Sequence, residues 1–540
     1  MKLHNAEKTC WNCPAAILKG NVDFRACGQS IEVIRRKMET EGILIECARQ
    51  PDLGHFEPTI TFEECPEWRP TKYGYLLENM RVMILGIDGY LGWSLALKLG
   101  ALGCEVSGVD NFLRRKCVRE KGANSVVPIA SMKERIKAAK EVLGIDIKFK
   151  QIDILDREKL GRFMKETKPE AIVHYGEVPS APYSMVDCDH AIMVQYNNVI
   201  GTLGLLFLMK EIVPDSSLIK LGTLGEYGSP LTGRPLFEGL FPADAMLVWN
   251  GREWSLGGEL TPRDPVSFYH VSKVQDTFNI YEACKYWWLR SYDVMQGVIY
   301  GVHTDEVAAD PKLRTRLDID EWFGTVVNRF VAQAILGIPL TVYGEGQQIR
   351  GFIALEDAME CMVRLISSPP EPGQYAVVNQ VSGLHKIMEL AETVAKVGSE
   401  KFNIPVTIQR VENPRVEADV HPFEVVSEKL PNDLGFRPKV TLEREITRMF
   451  ELLTQPHIKR RLKKVAHLIK PRTWWSGEKR LVETIEVYKP GTKRIGGFQP
   501  VLITKREAAI PMLKPVKKPK KLVEALISDD PPKKEDEKNE

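Results

Sequence analysis

Arg81-Val-Met-Ile-Leu-Gly86-Ile-Asp-Gly89-Tyr90-Leu91-Gly92 is a short apolar run followed by three glycines spaced three apart. Five strand-forming residues without polar alternation read as a strand buried on both faces of a sheet. The glycines permit a tight turn and a close backbone approach, and residues 93–102 continue with helical apolar spacing. A loop of this kind offers free N–H groups and the positive end of a helix dipole, which suits the pyrophosphate of a dinucleotide. The next strand, Glu105-Val-Ser-Gly-Val109, ends at Asp110, about twenty residues beyond the loop. A carboxylate there accepts both hydroxyls of an adenosine ribose and repels a 2′-phosphate, so NAD is favoured over NADP. Arg114 and Arg115 follow closely and weaken that preference. This unit predicts cofactor contacts from Gly86, Gly89, Tyr90, Leu91, Gly92, Asp110, Asn111 and Arg114.

Outward from this unit, strand-like runs recur at 147–152, 171–174, 217–221 and 292–296, with helix-like stretches between them. The alternation predicts an α/β fold: a Rossmann-type doubly wound parallel sheet with a smaller C-terminal substrate-binding lobe. Asp153 and Ile154, after the third strand, are placed for an adenine contact. Tyr269-His-Val-Ser-Lys273 sets a phenol and an ammonium four apart, on one helix face. A nearby cation stabilises phenolate, so Tyr269 is expected to take a proton from a hydroxyl as hydride leaves the adjoining carbon. Thr223 follows the strand at 217–221 and supplies a substrate-facing hydroxyl. Glu226, three residues on, is expected in a partly desolvated pocket as a second acid or base. His270 is either another acid/base group or a packed helix residue.

The chain has 540 residues, a net charge of +2, 44% apolar and 27% charged residues, which describes a large globular core without a global field for nucleic acid or anionic membranes. No sequence run reaches the roughly 20 apolar residues that span a bilayer. The first residues lack the apolar centre of a secretory signal, and a cytoplasmic location is expected. Four zones are expected: a cysteine-rich extension at 1–78, the catalytic core at 79–455, a basic extension at 456–514 and a disordered tail at 515–540. Within the core, 79–300 is mainly cofactor-binding and 301–455 mainly substrate-binding. Cys10-x2-Cys13 has the spacing of a zinc or iron–sulfur knuckle, and with Cys47 and Cys65 it makes a candidate four-thiolate site. Residues 458–468 have the apolar spacing of an amphipathic helix with a Lys/Arg-rich face.

The motifs GIDGYLGW, HYGEVPSAPYSM, NNVIGTL, KLGTLGEYG, SFYHVSK, QGVIYGVHTDE, PLTVYGEGQQIRGF and NPRVEAD carry a resemblance from about Met80 to about Trp475. The chain resembles the UDP-sulfoquinovose synthase-like branch of the extended short-chain dehydrogenase/reductase family, the NAD-dependent epimerases and dehydratases. The resemblance implies bound NAD, UDP-glucose and sulfite as substrates, and a homodimer formed through a four-helix contact. It implies redox roles for Thr223, Tyr269 and Lys273, elimination roles for Glu226 and His270, and a cofactor contact from Asn198. It also implies substrate contacts from Gln296, Thr341, Tyr343, Arg350, Arg415 and Glu417. The chain departs from the pattern twice. Glu177-Val178-Pro179 stands where the family has Glu-Gln-Arg, and Met295 stands where it has Asn. A 4-epimerase, a 4,6-dehydratase and a non-catalytic nucleotide-sugar scaffold remain alternatives to the synthase.

Overall fold

The computed structural model describes residues 77–228, 233–415, 423–470 and Trp475, together with short strands at Ala16–Lys19, Leu44–Cys47, His55–Phe56 and Glu483–Val487. Cys10, Cys13, Cys65, Glu417 and the expected tail at 515–540 lie outside the described residues; Cys47 enters only as the backbone end of a strand. Among the described residues, no group of His, Cys, Asp and Glu is arranged to hold a metal ion.

Seven strands form one parallel sheet: β1 (Arg81–Leu85), β2 (Glu105–Val109), β3 (Ile147–Lys150), β4 (Ala171–His174), β5 (Ser217–Leu221), β6 (Arg290–Gln296) and β7 (Tyr375–Gln380). Their order is β7-β6-β5-β4-β1-β2-β3. Val82, Met83, Ile84 and Leu85 of β1 are wholly buried, as an apolar run without alternation requires. The strand order reverses between β1 and β4. The carboxyl ends of those two strands therefore diverge into a crevice, the place where open α/β sheets bind ligands. Helix α1 (Tyr90–Ala101) leaves the glycine loop and lays Trp93, Leu95, Ala96 and Leu97 on the sheet.

The chain crosses between the two lobes more than once. After β6 the chain builds part of the second lobe, returns to contribute β7, and leaves again. β7 is held by parallel pairing with β6 over six residues, a long-range contact invisible to local spacing. The second lobe contains Val298–Tyr300, Ile349–Ala354 and Gly383–Lys386 in one small sheet, and Leu340–Tyr343 beside Thr407–Val411 in another. Its helices are Val326–Leu336, Ile387–Phe402 and Leu442–Leu453.

The second lobe continues past residue 455. The basic helix Pro456–Val465 inserts Ile458 and Leu462, both fully buried, into the core of this lobe and leaves Arg460, Lys463 and Lys464 exposed. Arg461 of that helix donates to the Val126 and Ser125 carbonyls at 3.0 and 2.8 Å, tying it to the first lobe. Among the described residues, one helical stretch, Cys188–Ile212, is long and apolar enough to cross a membrane by composition. Half of its apolar window is buried inside the protein, and it packs on helices Arg157–Thr167 and Phe268–Trp287, as a core helix does.

Candidate active site

The crevice opens into a cavity of about 570 Å³ between the sheet and the second lobe. The glycine loop forms one end of it. A methyl group at Gly92 would sit 2.2 Å from the Gly86 carbonyl oxygen, so helix α1 packs this close to the turn only because position 92 has no side chain. Gly86 has φ +82° and abuts the Tyr175 carbonyl, which leaves no room for a Cβ. Tyr90, Leu91, Asp110, Asn111, Arg114 and Ile154 line the same end. Asp110 accepts the Asp88 and Phe112 N–H groups at 2.9 and 2.6 Å. Burial and the charge of Asp88 raise its carboxyl to about 6.

Sequence reasoning missed Asp88 and Arg135. Asp88 holds both Arg115 (2.6 Å) and the fully buried Arg135 (2.9 Å). Arg115 is thereby committed to an ion pair inside the protein. The expectation that Arg115 weakens the preference for NAD loses its basis. Asp153 does not line the cavity. It accepts from the Asn111 amide at 2.8 Å and orients that residue instead. Asn198 is also behind the wall: its oxygen accepts the Val178 N–H at 2.9 Å and its amide bonds Ser272 at 3.1 Å, joining the catalytic helix to the loop after β4.

Tyr269, His270 and Lys273 sit in the first turns of the helix Phe268–Trp287 and all line the cavity. Ser267 caps that helix by accepting the His270 N–H, and its hydroxyl bonds the His270 Nδ1 at 2.9 Å. Burial first, then Arg415, Arg350 and Lys273, lower His270 to about 3, which leaves a neutral imidazole. Lys273 is gripped by Glu177 and donates to the Leu221 carbonyl at 2.6 Å. Tyr269 is not the low-pKa phenol that the sequence suggests. Burial, then Glu177, raise it, and Lys220 is the cation that opposes them. Lys273 spends its charge on Glu177, a partner that the spacing of Tyr and Lys does not reveal.

Thr223 lines the cavity as expected, but Glu226 does not. Thr-x-x-Glu here is a capping box: Thr223 caps the short turn Leu224–Glu226, and the Glu226 Oε1 accepts the Thr223 N–H at 3.1 Å. Its other oxygen meets the Thr277 hydroxyl at 3.0 Å, and Lys220 and Arg263 lie 3.9 Å away. Glu226 is wholly buried behind the wall, and its neighbours Thr223 and Gly225 line the cavity instead. The same spacing fits a catalytic carboxylate and a cap, and only burial distinguishes them.

Gln296, at the end of β6, and Arg350 and Arg415 from the second lobe reach the cavity, with Phe423 and Trp475 beside the two arginines. Thr341 and Tyr343 do not line it. Thr341 pairs with Gln333 through its N–H and hydroxyl, and the ring of Tyr343 lies near Arg329. Trp475 was placed beyond the catalytic core by its sequence position. Its N–H bonds the Pro414 carbonyl at 3.1 Å and brings the ring under Arg415. Pro179, one of the two departures, forms part of the cavity wall, whereas Met295 is buried beneath it.

A glycine-cradled dinucleotide crevice with Tyr, Lys and Thr at one wall defines a short-chain dehydrogenase/reductase type of nucleotide-sugar enzyme. The family model for the NAD dependent epimerase/dehydratase family matches residues 82–245. The UDP-sulfoquinovose synthase of Sulfolobus acidocaldarius is 42% identical over 396 residues, 73% of this chain and 98% of that protein. The chloroplastic UDP-sulfoquinovose synthase of Spinacia oleracea is 42% identical over 358 residues, 66% of this chain and 72% of that protein. A UDP-glucose 4-epimerase from Bifidobacterium longum, solved with NAD+ and UDP, shares the fold at a TM-score of 0.52 and 17% identity, covering 69% of this chain and 98% of that one. The chain belongs to the UDP-sulfoquinovose synthase branch of the NAD-dependent epimerase/dehydratase family.

Proposed function

We propose that this enzyme converts UDP-glucose and sulfite into UDP-sulfoquinovose and water, with NAD held in the glycine-loop crevice. One observation carries the reading: Thr223, Tyr269, His270 and Lys273 share a single cavity with Arg350 and Arg415. The residues present fit the cofactor, because the loop excludes side chains where a pyrophosphate needs room and Asp110 stands where a ribose needs an acceptor. NAD supplies the acceptor for the C4 hydride and returns it at the end. Tyr269 takes the proton of the sugar C4 hydroxyl, Thr223 orients that oxygen, and the Lys220 ammonium, which opposes the effect of burial on Tyr269, favours the phenolate.

A C4 ketone acidifies the C5 proton. His270, neutral and facing the cavity, accepts it and hands it to the departing C6 hydroxyl, which leaves as water. Hydrogensulfite adds to C6 through sulfur, and its proton returns to C5 by way of His270. Glu226 positions Thr223 rather than acting on the sugar. Arg350 and Arg415 grip the diphosphate of the substrate. Purified protein incubated with UDP-glucose and sulfite should, by mass spectrometry, give a product heavier by the mass of SO2, because the sulfonate replaces the C6 hydroxyl. UDP-galactose, or a 4-keto-6-deoxy sugar formed without sulfite, would instead indicate epimerase or dehydratase chemistry.

The chain also carries an exposed apolar surface on the helices beside the site, at Ile192, Tyr196 and Phe278. We infer a homodimer formed through that face. Light scattering after size exclusion tests it, and Phe278→Asp should yield monomer.

A further inference from the structure

The segment from Leu313 to Phe323 runs across the cofactor end of the cavity and is stitched to the first lobe. Trp93 Nε1 donates to the Leu313 carbonyl at 2.8 Å, and the Thr315 hydroxyl donates to the Tyr90 carbonyl at 2.7 Å. The Leu317 N–H bonds the Ser125 hydroxyl at 3.0 Å, and the Ser180 hydroxyl bonds the Trp322 carbonyl. Thr315 therefore lies against the first residue of helix α1, where the free N–H groups of the dinucleotide loop are. Its neighbour Arg316 is buried, lines the cavity, and spends Nε and Nη2 on Asp318 at 2.9 and 3.1 Å. Arg114 approaches the same carboxylate from the first lobe with Nε and Nη2, at 3.2 and 2.7 Å, and also lines the cavity. Its guanidinium stacks 3.8 Å from the Phe323 ring.

The two guanidiniums are thus fixed on one carboxylate, and both line the cavity. Each retains an Nη1 that is buried and has no hydrogen-bond partner. A neighbouring carboxylate, Asp320, does not hydrogen-bond them: its Oδ1 accepts the Trp322 and Phe323 N–H groups, and its Oδ2 is itself buried without a partner, so it lends them only its charge. Buried donors without acceptors cost free energy, and two of them beside a ligand crevice call for a ligand with several acceptor oxygens. The group expected between the Asp110 ribose site and the start of α1 is a diphosphate.

We propose that Arg114 and Arg316, braced on Asp318, hold the diphosphate of the dinucleotide beside the glycine loop. The inference rests on the NAD-binding reading above. It makes Arg316 a cofactor-positioning residue contributed by the second half of the chain.

The full-length enzyme, stripped of cofactor, tests it with NAD, ADP-ribose and adenosine as probes, measured by calorimetry or by competition. Arg316→Gln and the less buried Arg114→Gln should each raise the dissociation constants of NAD and ADP-ribose tenfold or more. Adenosine, which has no diphosphate, should bind the variants as it binds the parent. Arg316→Lys should recover part of the loss. The clamp is refuted if adenosine weakens as much as ADP-ribose does, because the effect is then one of folding or of the ribose site. It is also refuted if the dissociation constants for NAD do not change. Unchanged NAD binding with a raised KM for sulfite would assign the pair to the nucleophile instead. If the parent enzyme binds neither NAD nor ADP-ribose, the NAD-binding reading itself is wrong and the clamp falls with it.

Discussion

The two walls of the cavity are built differently. On the sheet side, the groups that move protons stand at a strand end and on the first turns of one helix, and their rear faces are locked. Lys273 has two partners, His270 is pinned by Ser267, and Thr223 is held by its own capping box. On the side of the second lobe, Arg350 and Arg415 are half-buried on a strand and a loop, leaning on Phe423 and Trp475 rings 5.9 and 5.4 Å away. Locked geometry suits bond making, where a small misplacement is costly, and a softer wall suits gripping a substrate that must enter and leave. The locked wall should therefore control kcat and the softer wall KM.

Tyr269→Phe is the sharpest test and should show the largest effect. Removing the phenolic proton carrier should lower kcat by about 10²–10⁴-fold. NAD should stay bound and the melting temperature should hold, because the ring remains in place. Turnover within a factor of two of the parent would remove Tyr269 from the chemistry and dissolve the contrast between the walls.

The locked wall was also the more legible in the sequence, for a physical reason. The turn at Gly86–Gly92 and the Tyr269–Lys273 spacing are fixed by neighbours in the chain, so local spacing already implies three-dimensional placement. The strands β1, β2, β4 and β5 were bounded correctly for the same reason. Glu226 shows the limit. Its spacing from Thr223 defines a cap and a catalytic pair equally well, and the choice is made by Lys220 and Thr277, which lie on other elements. Thr341 and Tyr343 were placed in the site, but the cavity wall is formed by other residues. The seventh strand and Trp475 depend on contacts across long stretches of sequence and left no local signal, whereas the basic helix showed its apolar spacing but not where it docks.

That helix gives the second test. Leu462 is fully buried in the core of the second lobe. Leu462→Ala should cost about 2–5 kcal/mol of stability, read as a lower denaturant midpoint. A loss below about 0.5 kcal/mol, the level of an ordinary surface change, would restore the helix to the status of an appendage. Arg415→Gln comes next. Loss of one charge-assisted contact to the substrate is worth about 1.5–3 kcal/mol, so KM for UDP-glucose should rise about ten- to a hundredfold. The change in kcat should stay within twofold. An equal fall in kcat would mean that the softer wall also shapes the transition state.

The smallest effect separates the two demands placed on one residue of the cofactor end. Asp110 is raised to about 6 by burial and by Asp88. A ribose hydroxyl donates best to the ionised carboxylate, so NAD affinity should be full above pH 6. It should fall as the pH drops through 6, by at most about tenfold per unit. The ligand-free protein should show the opposite sign. Its folded-state value lies above that of the unfolded chain, near 3.9, so folding takes up a proton between these values and this group's contribution to stability declines as pH rises from about 4 to 6. Low pH should thus loosen the cofactor while favouring the empty fold at this position. Asp110→Asn should flatten both profiles, read by NAD titration and by denaturant midpoint across pH 5–7.5. If NAD affinity in the parent is level across that range, Asp110 does not hold the ribose, and the glycine loop must bind the dinucleotide without it.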